Sequence, residues 1–202
     1  GSSTWTITVP ENTKIRFSSA SGGLKAKGLY GQLKAETGSG DYLIEDCTGR
    51  IRLSTGSGNI EMSRLSGEIT AITGSGDIEA DEIKGGLELT TGSGEVEATG
   101  ISLIEEGAFA SGSGDAEVTL AASPLADVSV SSGTGDAVLR YNGNPILGSF
   151  EFTAKYREGR IRAPFDFTDE EMLFDHGEEY IRKSFTGEAG SAEISIRTGT
   201  GT

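Results

Sequence analysis

One tetrapeptide recurs in this chain at a fixed interval, and that interval restricts the folds open to it. Thr37-Gly38-Ser39-Gly40 returns as Thr55-Gly56-Ser57-Gly58, Thr73-Gly74-Ser75-Gly76 and Thr91-Gly92-Ser93-Gly94, at a constant 18-residue spacing. A degenerate copy, Ser19-Ala20-Ser21-Gly22, precedes them by the same step. Ser111-Gly112-Ser113-Gly114 and Ser132-Gly133-Thr134-Gly135 follow at slightly wider steps, and Thr198-Gly199-Thr200-Gly201 stands near the last residue. Self-similarity at such a period marks a repeat architecture, in which no single unit can close a core alone.

The apolar residues keep the same register. Leu24, Tyr42, Ile60, Ile78 and Val96 form one column, and Ala26, Ile44, Met62, Ala80 and Ala98 the next alternate one. Leu29, Cys47, Leu65, Ile83 and Ile101 form a third, Leu33, Ile51, Ile69 and Leu87 a fourth, and Ala35, Leu53, Ala71 and Leu89 a fifth. A second glycine column is Gly31, Gly49, Gly67 and Gly85. Alternation of period two is a strand signature, and the glycines supply turn geometry. Stacked units place like residues over like at about 4.8 Å. The expected fold is all-β, a parallel β-solenoid (β-helix) of about eight 18-residue rungs. Right-handed coiling is preferred for parallel crossovers. A left-handed three-sided helix ranks second, because the inward columns do not follow a six-residue spacing.

A single domain over 1–202 is expected, irregular in its C-terminal part. Residues 4–18 read as N-terminal cap strands, with Trp5 covering the open end of the core. Residues 19–141 are regular rungs, 142–190 modified rungs and loops, and 191–202 the final rung. The register breaks at the turn cluster Asn142-Gly143-Asn144-Pro145. Thr168-Asp169-Glu170-Glu171 has capping-box form, which predicts one short helix near 168–175. Loops that leave a scaffold carry binding, so 142–190 is the first place to look for it.

Lys plus Arg is 17 and Asp plus Glu is 31, a net charge of −14, which argues against nucleic acid and anionic membrane surfaces as partners. No apolar run approaches the ~18 residues of a membrane span. The acidic residues fall in columns. Asp41, Asn59, Asp77, Glu95, Asp115 and Asp136 follow the second glycine directly, and Glu61, Glu79, Glu97 and Glu117 lie two residues further on. A solvated acidic face is the first reading of this ladder, with no metal site. Divalent-cation (calcium) binding by Asp41, Asp77, Glu79, Glu95, Glu97, Asp115 and Glu117 is the alternative, since carboxylates and turn carbonyls suit calcium. The calcium-binding β-roll nonapeptide itself is absent.

One cysteine, Cys47, and one histidine, His176, cannot build a four-ligand Cys/His zinc site. Cys47 sits in an inward column and reads as a buried structural thiol, His176 as a surface residue. A ladder of similar carboxylates does not offer the two unlike environments that glycan cleavage needs, so a glycan-active β-helix enzyme ranks third. No catalytic residues and no cofactor are expected.

The Thr-Gly-Ser-Gly-Asp/Asn/Glu-Ile/Val-Glu units, Thr6-Ile7-Thr8-Val9-Pro10 and the closing Ile194 to Thr202 run resemble a bacterial family of adhesin-like β-strand repeat proteins, a domain of unknown function. Tyr141-Asn142-Gly143-Asn144-Pro145 is similar to a related family of adhesin head domains. The resemblance implies export to the periplasm or cell surface, and a non-catalytic scaffold or binding module. Its partner would be an unknown protein or glycan at the cell surface.

Overall fold

In the computed structural model, which describes residues 6–201, the described chain is all β and forms no helix. It winds into stacked parallel coils of about 18 residues, a β-solenoid of about seven turns. Each regular coil contributes one short and one long strand. The short strands are β2 (Leu24–Lys27), β4 (Tyr42–Glu45), β6 (Ile60–Ser63) and β8 (Ile78–Asp81). The long ones are β1 (Thr13–Ser19), β3 (Tyr30–Thr37), β5 (Thr48–Thr55), β7 (Ser66–Thr73) and β9 (Lys84–Thr91). β10 (Val96–Ser111) spans both kinds, and β11 (Ala116–Leu120), β12 (Val128–Ser132) and β13 (Ala137–Arg140) follow.

The long strands pair in parallel as one sheet and the short strands as another, both in the 18-residue register. The five apolar columns meet between them. Ile44, Cys47, Ile78, Leu89 and Ala71 are fully buried. Side chains at alternate positions face this core because successive Cβ atoms of a strand point to opposite sides. The wider steps of the later coils are absorbed without losing the columns. Ile104, Glu105 and Glu106 bulge out between Leu103 and Gly107, and a loop fills the chain between β11 and β12.

A sixth inward column was hidden in the tetrapeptide. Thr37, Thr55, Thr73, Thr91, Ser111, Ser132 and Thr198 are buried. From Thr55 onward each hydroxyl binds backbone on two sides. Thr73 Oγ1 donates to the Gly58 carbonyl one coil back (2.9 Å) and accepts the Gly76 N–H three residues on (3.2 Å). Thr91, Ser111 and Ser132 repeat the pair of bonds, and so does Thr198. The glycine of each turn lies too close to the coil below for any side chain. A Cβ on Gly76 would run into the carbonyl oxygen of Gly58.

Several expectations are corrected at the two ends. The chain from Thr6 to Asn12 carries no strand, and the stack begins with β1; Trp5 lies outside the described residues. The predicted helix near 168–175 is a strand, β15 (Asp169–Asp175), which pairs antiparallel with β16 (Glu178–Thr186). His176 and Gly177, with φ of 50° and 85°, make the tight turn between them. Positive φ at both central residues is the hairpin turn, and it overrides a capping-box pattern that has no apolar stripe behind it. The last strand, β17 (Glu188–Thr198), is not last in space. It inserts between β12 and β14 (Leu147–Lys155), parallel to both. β16 then runs antiparallel along the far side of β14.

Replacing Thr73 by Val keeps the shape but strands the Gly58 carbonyl and the Gly76 N–H. We expect a loss of about 2–4 kcal/mol in urea unfolding, against about 1 kcal/mol for Thr73→Ser, which keeps both bonds.

Candidate functional site

The acidic ladder is partly a structural device. Asp41 Oδ1 accepts the backbone N–H of Asn59 (2.9 Å), Asn59 Oδ1 that of Asp77 (3.0 Å), and Asp77 Oδ1 that of Glu95 (2.9 Å). Asp115 Oδ1 accepts the N–H of Asp136 (2.8 Å). The shared requirement is a carbonyl-type oxygen one carbon beyond Cβ, which Asp and Asn both have. Among the described residues no such bond leaves Glu95, whose side chain is a methylene longer. The glutamate column stacks in register, Glu61 beside Glu79 and Glu79 beside Glu97, on the outer face. Glu117, next in line, is bonded at both oxygens by Arg140 (2.6 and 3.3 Å). Among the described residues no group of three or more His, Cys, Asp or Glu side chains is gathered as a metal site.

Cys47 is buried in its inward column, with Leu29 N–H donating to Sγ at 3.4 Å. Burial pushes its thiol pKa up. His176 stands out in solvent on the β15–β16 turn, its Nδ1 2.6 Å from Asp175 Oδ1. Net charge concealed one feature. Lys14, Arg16, Lys34, Arg50 and Arg52 share the outer face of β1, β3 and β5, countered by Glu36 and Glu68.

An apolar concavity lies at the C-terminal end of the solenoid. It is a cavity of about 390 Å³ between β13 and the extended segment 160–165. Its floor is Phe150 and Phe152 of β14 and Ile196 of β17. These belong to a second apolar cluster in which Phe165 and Phe185 stack at 4.2 Å. Arg140, Arg160 and Arg162 stand around it. Among the described residues, Arg160 and Arg162 form no ion pair with a carboxylate. Tyr141 lines the wall with its hydroxyl buried and without a hydrogen-bond partner among the described residues, and burial pushes its pKa up to about 12. An unpaired buried hydroxyl costs about 1–3 kcal/mol and is uncommon. Residues of the 142–190 region line this cleft, and Ala137 to Tyr141 supply the facing wall. Of the acidic ladder only Glu117 and Asp136 reach it.

If the first acidic column serves as an acceptor ladder, Asp77→Asn should leave the melting temperature unchanged or slightly raised. Asp77→Ala should cost about 1 kcal/mol, the worth of one backbone acceptor. Cys47 should react with a thiol reagent only at the rate of global unfolding, becoming stoichiometric in denaturant.

Residues 1–202 match the family model described as Toastrack DUF4097, and the chain belongs to that family. No curated protein matches it, and no solved structure does.

Proposed function

We propose that this Toastrack-family chain is a non-catalytic scaffold whose binding surface is the cleft beside β13. In this reading it works as an exported or cell-surface, adhesin-like module of the bacterial envelope, and its partner is a protein or glycan there. One observation carries the reading: the apolar cleft opens where the coil-to-coil repetition lapses. Elsewhere the solenoid presents similar side chains coil after coil. A few arginines converging on an apolar floor are what a ligand site needs for orientation.

Two further points support binding over catalysis. Glu117 has both oxygens engaged by Arg140, so its carboxylate is held as an ion-pair partner at the cleft wall. His176 and Cys47 lie outside the cleft lining. The envelope assignment is supported by the likeness of the Thr-Gly-Ser-Gly-Asp units to bacterial adhesin-like repeats. Among the described residues no helix is long and apolar enough to cross a membrane.

Beads coated with the protein should retain a component of isolated bacterial envelopes. Ala163→Trp, which fills the cleft, should abolish that retention, whereas Glu79→Gln on the ladder should leave it intact. Retention indifferent to Ala163→Trp, or soluble sugar released from the envelopes by the protein, would overturn the reading.

A further inference from the structure

We propose that the outer face of the long-strand sheet docks on the same face of a second copy of this chain, in a two-fold dimer that sets the basic end of each sheet on the acidic end of the other. This surface is separate from the cleft, whose floor of Phe150, Phe152 and Ile196 is the inward side of that sheet.

The pairing register fixes the order of strands on this face as β1, β3, β5, β7, β9, β10, β12, β17, β14, β16 and β15. Alternate residues of each strand point outward. One outward column opens with Arg16, Lys34 and Arg52, passes Ala108 at its middle, and closes with Glu151, Ser184 and Asp169. The adjoining column opens with Ser18, Glu36 and Ser54, passes Ala110, and closes with Thr153, Arg182 and Glu171. Between their ends both columns carry short side chains, Thr90, Ser129 and Ser131 among them, with Glu88 the charge on β9. The first three strands also bring Lys14 and Arg50, so five cations stand there against Glu36. Across β17, β14, β16 and β15 the balance reverses. Glu151, Asp169, Glu171, Asp175, Glu178 and Glu193 outnumber Lys155, Arg182 and Arg197.

A face with opposite charge at its two ends is complementary to itself when turned end for end. A two-fold axis parallel to the strands and beside β10, the middle strand of the order, lays β1 over β15, β5 over β14 and β10 over itself. Such an axis keeps each position along the strand direction, so each column meets its own copy. Arg16 then meets Asp169 of the second copy, and Arg52 meets Glu151 of the second copy. Glu88 faces the hydroxyl of Ser129, and Ala108 faces its own equivalent. In the adjoining column Glu36 meets Arg182 of the second copy. The symmetry makes every pair twice, as an isologous interface requires. A two-fold along the stack would instead set β1 on β1 and cation on cation, which charge opposes.

The area is sufficient. Ten strand steps of about 4.8 Å and three outward positions about 7 Å apart make a face of roughly 50 by 15 Å. Covering it buries about 750 Å² on each copy, close to the ~800 Å² of a standard specific interface. Arg16, Arg52, Ala108, Ser129 and Asp169 are all exposed. The short central side chains let two sheets approach to the usual packing distance of about 10 Å. An exposed ion pair contributes little alone. Here three kinds of pair, each made twice, act across one surface from which water is displaced, and they also choose the orientation.

The test is equilibrium sedimentation of the whole chain at physiological salt, where we expect a reversible monomer–dimer equilibrium. Ala108→Arg changes an exposed position, so the melting temperature at high dilution should stay the same. It should weaken the dimer about a hundredfold or more, because it sets two cations against each other at the axis. Arg52→Glu and Glu151→Arg should each weaken the dimer about tenfold, and the double variant should recover it, since the pair is then only reversed. A chain that stays monomeric at millimolar concentration, assemblies that grow beyond the dimer, or a dimer indifferent to Ala108→Arg would overturn the proposal. A double variant that fails to recover would overturn the end-for-end register. A monomeric chain that loses envelope retention with Ala108→Arg would assign the face to a different partner and remove the second copy. Retention that depends on Ala163 in a monomeric chain would leave the cleft reading intact and remove only the dimer.

Discussion

A buried hydroxyl with two backbone partners sits at each glycine turn from Thr55 onward, and it limits what every neighbouring position can hold. The hydroxyl must reach a carbonyl one coil back and an N–H three residues ahead. Both reaches succeed only if the coils close to contact distance at the turn, which is why Gly76 has no room for a Cβ above Gly58. Close coils in turn hold the strands in their 18-residue register, and the register stacks the apolar columns. Such a polar group is expensive if left alone and specific when satisfied, so one hydroxyl per coil fixes the phase of the whole stack.

The same coupling explains where variation is tolerated. Extra residues enter as the bulge at 104–106 or the loop between β11 and β12, away from the glycine turns. The larger departure is topological. By inserting β17 between β12 and β14, the chain ends the long-strand sheet with an antiparallel hairpin. Its outermost strand, β15, carries Asp169, Glu170, Glu171 and Asp175. Charge on an edge strand discourages pairing with further copies, so that sheet is blunted. Among the described residues β13 of the short-strand sheet pairs with β11 alone, and its other side faces an apolar cleft.

The five apolar columns, the all-β class and the solenoid were legible in the sequence, because a period of two and an 18-residue period coincide there without interruption. The hydroxyl column was present but disguised, since Thr and Ser beside Gly read equally as turn residues. The corner occupied by Gly28, Asp46, Arg64, Glu82 and Gly100 was not legible. Three of these are non-glycine residues with φ between 52° and 54°, a conformation their side chains do not announce. The C-terminal hairpin was misread because a helix cap was weighed without its stripe, while His176-Gly177 carried the turn signal. The insertion of β17 could not be seen at all. Its partners in β12 are remote in the chain, Val128 beside Ile194 and Ser132 beside Thr198. Nothing local in Ile194 to Thr198 distinguishes a next coil from an inserted one.

Charge separates the surfaces of this one scaffold. The net charge of −14 is an average over unlike faces. Lysines and arginines share the outer face of the first long strands, and carboxylates line the short-strand face. The glutamate column of that face runs from Lys25 to Val138, and Arg140 and Arg162 stand beyond its end, around the cleft. A ladder of glutamates repels at strand spacing and is tolerated because water screens it. Arg140 answers the last of these glutamates directly, binding both oxygens of Glu117 beside the apolar floor. The ladder thus ends in an ion pair across neighbouring positions rather than in one more repelling carboxylate.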